Sequence, residues 1–121
     1  MVIILIKCLI FDLDDTLYYE KTYVLEGFKN ISRYLASKYL LDYNEVYEKC
    51  IKIFGKDGRG YIFNKLCNDY KVEENIEGLV EKYRDTIPKI ELYDESRKIL
   101  NFAKENNIKL GIITDGCSKV Q

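Results

Sequence analysis

The chain has 121 residues and a mass of 14.3 kDa, the size of a single domain. With 47% apolar and 13% aromatic residues it can bury a core, and 19 basic against 20 acidic residues leave a net charge of −1, which argues against a mainly electrostatic nucleic-acid binder. It has no histidine, so Ser-His and Cys-His catalysis and His-ligated zinc are excluded.

The first element is predicted over residues 2–11, an almost unbroken Ile- and Leu-rich run. Such a run reads as a strand buried on both faces, as in a parallel sheet. The opening residues 1–6 are apolar, but they lack a basic leader and a small-residue cleavage site, and Lys7 interrupts them. They read as neither a signal peptide nor a spanning helix, so a cytoplasmic chain without membrane contact is expected. Cys8, Cys50, Cys67 and Cys117 form no C-x-x-C pair. They are expected to be small buried hydrophobes in a reducing compartment.

The strand ends abruptly in Asp12-Leu13-Asp14-Asp15-Thr16-Leu17. Residues two apart on an extended segment point the same way, so Asp12 and Asp14 are predicted to face one pocket. Two carboxylates there repel each other and invite a hard cation such as Mg²⁺. The plainer alternative is an acidic loop in which Asp15 or Thr16 caps a helix.

Helices follow. Val24, Phe28, Ile31 and Leu35 recur at helical spacing, as do Val46 or Tyr47, Cys50 and Phe54. Asp42 and Glu45 resemble a capping box opening the second helix. Gly55, Gly58 and Gly60 mark a break, and a third helix is predicted from about Tyr61 to Tyr70. A fourth carries Ile76, Leu79, Val80 and Tyr83 and stops before Pro88. A fifth follows Tyr93-Asp94, with Ile99, Leu100 and Ala103 on one face, and closes at Asn106-Asn107. The second strand, Lys109 to Ile113, ends in Thr114-Asp115-Gly116. Both strands carry polar residues at their C-terminal ends, the edge where ligands bind in open α/β sheets.

Asp12-Leu13-Asp14-Asp15-Thr16-Leu17 resembles motif I of the haloacid dehalogenase-like (HAD) superfamily, D-x-D-x-T-L after an apolar strand. Ile112-Ile113-Thr114-Asp115-Gly116 resembles its motif II. The resemblance implies an α/β fold: a partial Rossmann-like parallel sheet from residues 1–20 and 88–121, with a helical C1-type cap inserted over 21–87. It implies a Mg²⁺-dependent phosphatase acting on a small phosphomonoester. Asp12 would be the nucleophile and Asp14 the general acid and base. Thr114 would bond a phosphate oxygen, joined by backbone N–H groups near Leu13, Asp14 and Asp115. Mg²⁺ would bind the Asp12 carboxylate and the Asp14 backbone carbonyl. The acid at Asp14 favours phosphate chemistry over carbon–halogen cleavage.

The superfamily's motif III Lys or Arg and motif IV acidic pair have no counterpart among the seven residues after Thr114, and Lys119 stands too close to motif II to replace the former. The expectation is a truncated or split enzyme whose first strand has an open apolar edge, completed as a homo-oligomer or by a complementing chain. The alternatives are a phosphoryl transferase on the same scaffold and an incomplete fragment acting as a binding or interaction module. Two weaker signals remain. Tyr18 and Tyr19 would either touch substrate from a flap or pack under the cap. Lys56-Asp57-Gly58-Arg59-Gly60 reads as a solvated turn or an anion-contacting loop, and it is no P-loop.

Overall fold

The computed structural model describes residues 5–118 and 120–121. Residues 2–4 of the expected first strand, and Lys119, lie outside the described residues. The elements are β1 (Cys8–Phe11), α1 (Glu20–Tyr39), α2 (Tyr43–Asp57), α3 (Ile62–Tyr70), α4 (Ile76–Arg84), α5 (Asp94–Glu105) and β2 (Lys109–Ile112). They fall into two compact units. One is helical, Tyr23–Pro88; the other combines the residues up to Thr22 with Lys89–Gln121.

The helical unit owes its core to matched apolar stripes. On α1, Val24, Phe28, Ile31 and Leu35 are all buried, and their spacing keeps them on one face. They pack with Val46 and Cys50 of α2, Leu66 of α3 and Leu79 of α4. Burying a side chain of this size is worth roughly 1.5–3 kcal/mol. Two side chains start helices by satisfying orphan N–H groups. The Asp42 carboxylate accepts from the Glu45 N–H at 2.9 Å, and Asn75 accepts from the Gly78 N–H at 3.1 Å. The Glu45 carboxylate instead accepts from the Tyr70 hydroxyl at 3.3 Å, so the expected capping box is seen from the Asp42 side. Gly55 does not break α2, which runs through it. The break comes at Gly58, whose φ of 73° suits a residue without Cβ. Tyr83 sits among aromatics, its ring centroid 5.6 Å from Tyr23, 6.2 Å from Phe28 and 5.9 Å from Phe63. The Tyr23 hydroxyl donates to the Arg84 carbonyl at 3.2 Å, tying the start of α1 to the end of α4.

In the other unit β1 and β2 pair in parallel, Cys8 with Lys109 through Phe11 with Ile112. Pairing extends one step at each end, from the Lys109 N–H to the Lys7 carbonyl and from the Ile113 N–H to the Phe11 carbonyl, both at 2.9 Å. A parallel pair needs a crossover, and α5 leads directly into β2. Among the described residues the sheet has two strands. That corrects the expectation of a strand buried on both faces: Ile10 is 60% exposed and Ile112 57%, because a central strand's burial comes from neighbours that this sheet does not show. Ile99, expected inward on α5, is also exposed, whereas Ala103 and Ser96 are buried. The expectation of four buried cysteines fits Cys50 and Cys67; Cys8 and Cys117 are exposed.

Candidate active site

The register brings the two polar strand ends together. With Phe11 opposite Ile112, Asp12 follows β1 on the same edge where Ile113 and Thr114 follow β2. The chain after Asp12 does not run straight on. The Thr16 and Leu17 N–H groups donate to the Leu13 carbonyl at 3.3 and 3.0 Å, closing a turn. Asp15 occupies its left-handed position with φ of 57°, a conformation that Asp tolerates better than most residues. The Asp15 carboxylate accepts from the Glu20 N–H at 3.0 Å and so serves the first turn of α1. The capping reading of this acidic loop is therefore right for Asp15, and it leaves Asp12 and Asp14 to be accounted for separately.

Asp14 is the best-held member of the site. One carboxylate oxygen, Oδ1, accepts from the Tyr18 hydroxyl. The other, Oδ2, accepts from the Gln121 side-chain amide at 3.0 Å. The Gln121 carbonyl oxygen in turn accepts from the Thr114 hydroxyl at 3.1 Å. Asp14 and Thr114, predicted from opposite ends of the chain, thus share one hydrogen-bonded cluster. Thr114 also accepts from the Gly116 N–H at 3.4 Å, which shapes the turn after β2. Asp12 is exposed, and its Oδ1 accepts from the Leu13 N–H at 2.9 Å. That N–H, expected to serve a phosphate oxygen, is thereby engaged by the neighbouring carboxylate. Asp115 is exposed.

Tyr18 and Gln121 are the residues that sequence reasoning missed or left undecided. Tyr18 is buried, with 5% of its surface exposed, while Tyr19 is exposed. Burial and the adjacent Asp14 carboxylate push the Tyr18 phenol well above its ordinary pKa, so it is a hydrogen donor throughout the usable pH range. A spacing of four from Asp14 was the available clue. Gln121 gave none.

The donor set is all oxygen, which fits a hard divalent cation. It fits as part of a site, since no group of three or more Asp, Glu, Cys or His is placed to hold a metal among the described residues. In the helical unit, a separate cavity of about 230 Å³ is lined by Phe28, Phe54, Phe63 and Tyr83, together with Arg59 and Arg84. Of the Lys56–Gly60 stretch, Arg59 and Gly60 reach that cavity, whereas Asp57 pairs with Lys65 at 2.8 Å.

Residues 9–121 match the family model described as haloacid dehalogenase-like hydrolase. The chain belongs to that family. The two strand ends just described, which resemble that family's motif I and motif II, both lie within the matched span. A solved chain described as the crystal structure of a HAD phosphatase from Thermococcus onnurineus is similar at 23% identity, covering 93% of this chain and 53% of that one, with a TM-score of 0.45. The chain therefore spans about half the length of that protein. No curated protein matches it. No helix among the described residues is long and apolar enough to cross a membrane.

Proposed function

We propose that this chain is a Mg²⁺-dependent phosphomonoester hydrolase working through a nucleophile at Asp12, with the helical unit Tyr23–Pro88 as a C1-type cap. The observation that carries the reading is the Asp14–Gln121–Thr114 cluster at the end of two adjacent parallel strands. Asp12 would attack phosphorus through a carboxylate oxygen while the bond to the leaving oxygen breaks. Asp14 would give that oxygen a proton. In the second half, water attacks the aspartyl-phosphate, Asp14 takes the water proton, and the phosphorus–oxygen bond to Asp12 breaks, releasing phosphate. Thr114 and nearby N–H groups would hold the non-bridging oxygens.

Attack of a carboxylate on a phosphate dianion meets like-charge repulsion of about 4 kcal/mol per charge pair at ~4 Å and an effective dielectric of ~20. Mg²⁺ bound through the Asp12 carboxylate and the Asp14 backbone carbonyl would supply the offsetting charge. The substrate is a small phosphomonoester, with neither nucleic acid nor membrane as a partner.

The exposed Ile10 and Ile112 favour a second reading. In it these residues are one part of a site completed by further polypeptide, a second copy or a complementing chain, and bind ion or phosphate without turnover on their own.

The test is hydrolysis of 4-nitrophenyl phosphate by the purified chain with and without Mg²⁺, beside Asp12→Asn. Mg²⁺-dependent turnover that disappears in the variant supports the phosphatase reading. Equal rates in both proteins refute it and leave the second reading.

A further inference from the structure

The 230 Å³ cavity inside the helical unit has no part in the chemistry proposed for Asp12. Its walls are aromatic: Phe28 and Phe63 are buried, Phe54 and Tyr83 half-buried. These rings brace one another. Phe28 meets Phe54 edge-on at 5.8 Å between centroids and Tyr83 at 6.2 Å, and Phe63 meets Tyr83 edge-on at 5.9 Å. A ligand entering finds the walls already in place and loses little affinity to ordering them. The charged residues of the lining, among the described residues, are both cations, Arg59 and Arg84. Both are exposed, so the charge sits where the cavity meets water. Arg84 ends α4 on a held backbone: its carbonyl accepts from the Tyr23 hydroxyl at 3.2 Å, and the Lys82 carbonyl accepts from the Asn30 side-chain amide at 3.0 Å. The Arg84 guanidinium meets the Glu81 carboxylate at 3.5 Å, long for such a pair.

Each part of the cavity selects a part of a ligand. Aromatic walls favour a flat apolar body, held by offset or edge contacts. Guanidinium groups favour an anion, and their planar fork matches a carboxylate. Charge decides between one negative charge and two. The two arginines, less the Glu81 carboxylate beside Arg84, leave a net charge of +1 at the mouth, which matches a monoanion better than a phosphate dianion. Size sets the body. An apolar cavity of about 150 Å³ takes benzene, so 230 Å³ takes one or two fused rings. We infer that the helical unit binds a small aromatic carboxylate, its rings among Phe28, Phe54, Phe63 and Tyr83 and its carboxylate at Arg59 and Arg84. Binding there needs no chemistry at Asp12, so it is tested separately from the phosphatase reading.

The full chain is titrated with indole-3-acetate and followed by amide-resolved NMR. Its uncharged isostere, indole-3-acetamide, isolates the charge. The expected result is saturable shifts confined to residues lining the cavity, with a Kd of roughly 0.1–1 mM, the range for a ligand of this size. The acetamide should bind about tenfold more weakly, the loss of one charge-assisted contact. Arg59→Gln and Arg84→Gln change exposed side chains, and circular dichroism checks that both still fold. Each should weaken indole-3-acetate about tenfold and leave the acetamide unchanged. Equal binding of acetate and acetamide overturns the inference, as does either variant binding like the parent. Shifts that fall outside the lining overturn it too, and so does a titration without saturation by about 10 mM. Phenylacetate is then set against benzylphosphonate. Tighter phenylacetate supports the carboxylate, and tighter benzylphosphonate overturns that assignment.

Discussion

Replacing Gly27 by alanine sets two effects against each other, and the structure says which one wins. In a helix interior the substitution ordinarily stabilises by up to about 1 kcal/mol, because glycine loses more backbone entropy on folding. At Gly27, however, a Cβ would run into Cε2 and Cδ2 of Tyr83 and approach its Cζ to 3.2 Å. The Tyr83 ring cannot yield cheaply. It is in edge or tilted contact with Tyr23, Phe28 and Phe63, and each such pair is worth roughly 0.5–1.5 kcal/mol. Disturbing two of the three costs about 1–3 kcal/mol, the usual range for overpacking a core. The closeness of the ring atoms puts the cost in the upper part of that range, about 2–3 kcal/mol, so after subtracting the propensity gain Gly27→Ala destabilises by about 1–2 kcal/mol. For a unit of this size that lowers the Tm by roughly 4–16 °C. Gly55→Ala is the internal control: it lies inside α2 with nothing within 4 Å of its added Cβ, so the propensity gain stands alone and the Tm rises. The assay is thermal and urea unfolding followed at 222 nm. A Gly27→Ala protein as stable as the parent would refute the reasoning, and would mean that Tyr83 moves into the adjoining 230 Å³ cavity without cost.

Three further outcomes are expected. The Lys38 ammonium at 2.8 Å and the Tyr39 hydroxyl at 2.6 Å hold the Glu74 carboxyl below its ordinary pKa of 4.5. This stabilisation is present above about pH 4.5 and is lost as pH falls through the lower folded value. Glu74→Gln should therefore show a shallower loss of stability between pH 5 and pH 3 than the parent, in paired urea titrations. Burial pushes the Cys50 thiol up to about 11 and raises that of Cys67, so a thiol reagent at pH 8 should modify Cys8 and Cys117 quickly and the buried pair only as fast as the helical unit opens. Asp42→Ala and Asn75→Ala each remove a helix cap and should each cost about 1 kcal/mol in urea unfolding, additively, since the two caps start different helices.

What could be read from the sequence divides along a physical line. The α1 stripe and the Asp42 cap are local: their partners lie within a turn or two, so spacing alone reveals them. The strand ends were legible as well, because an apolar run stopping at Asp12 or Thr114 marks a sheet edge whatever lies beside it. Gly55 misled because a glycine late in a helix carries the same local signal as one that ends it; only the positive φ at Gly58 separates them. Ile10 misled for a different reason, since its burial depends on sheet neighbours rather than on its own chain. Tyr18 and Gln121 depend on both effects at once. Their meaning comes from which oxygen of Asp14 each one meets, and no pattern in one dimension encodes that.

The tie between the start of α1 and the end of α4, through Tyr23 and the Arg84 carbonyl, bears on the order of folding. β1 and β2 are about 100 positions apart in the chain, but most of those belong to the helical unit, whose own contacts are short-range. Once that unit has formed, its two ends are pinned together and the loop still to be closed shrinks to about 35 flexible residues, which lowers the closure cost by roughly 1 kcal/mol. The insertion that separates the two strands in sequence thus acts as the clasp that lets them find each other, and the helical unit should be the first part of the chain to gain protection from hydrogen exchange during refolding.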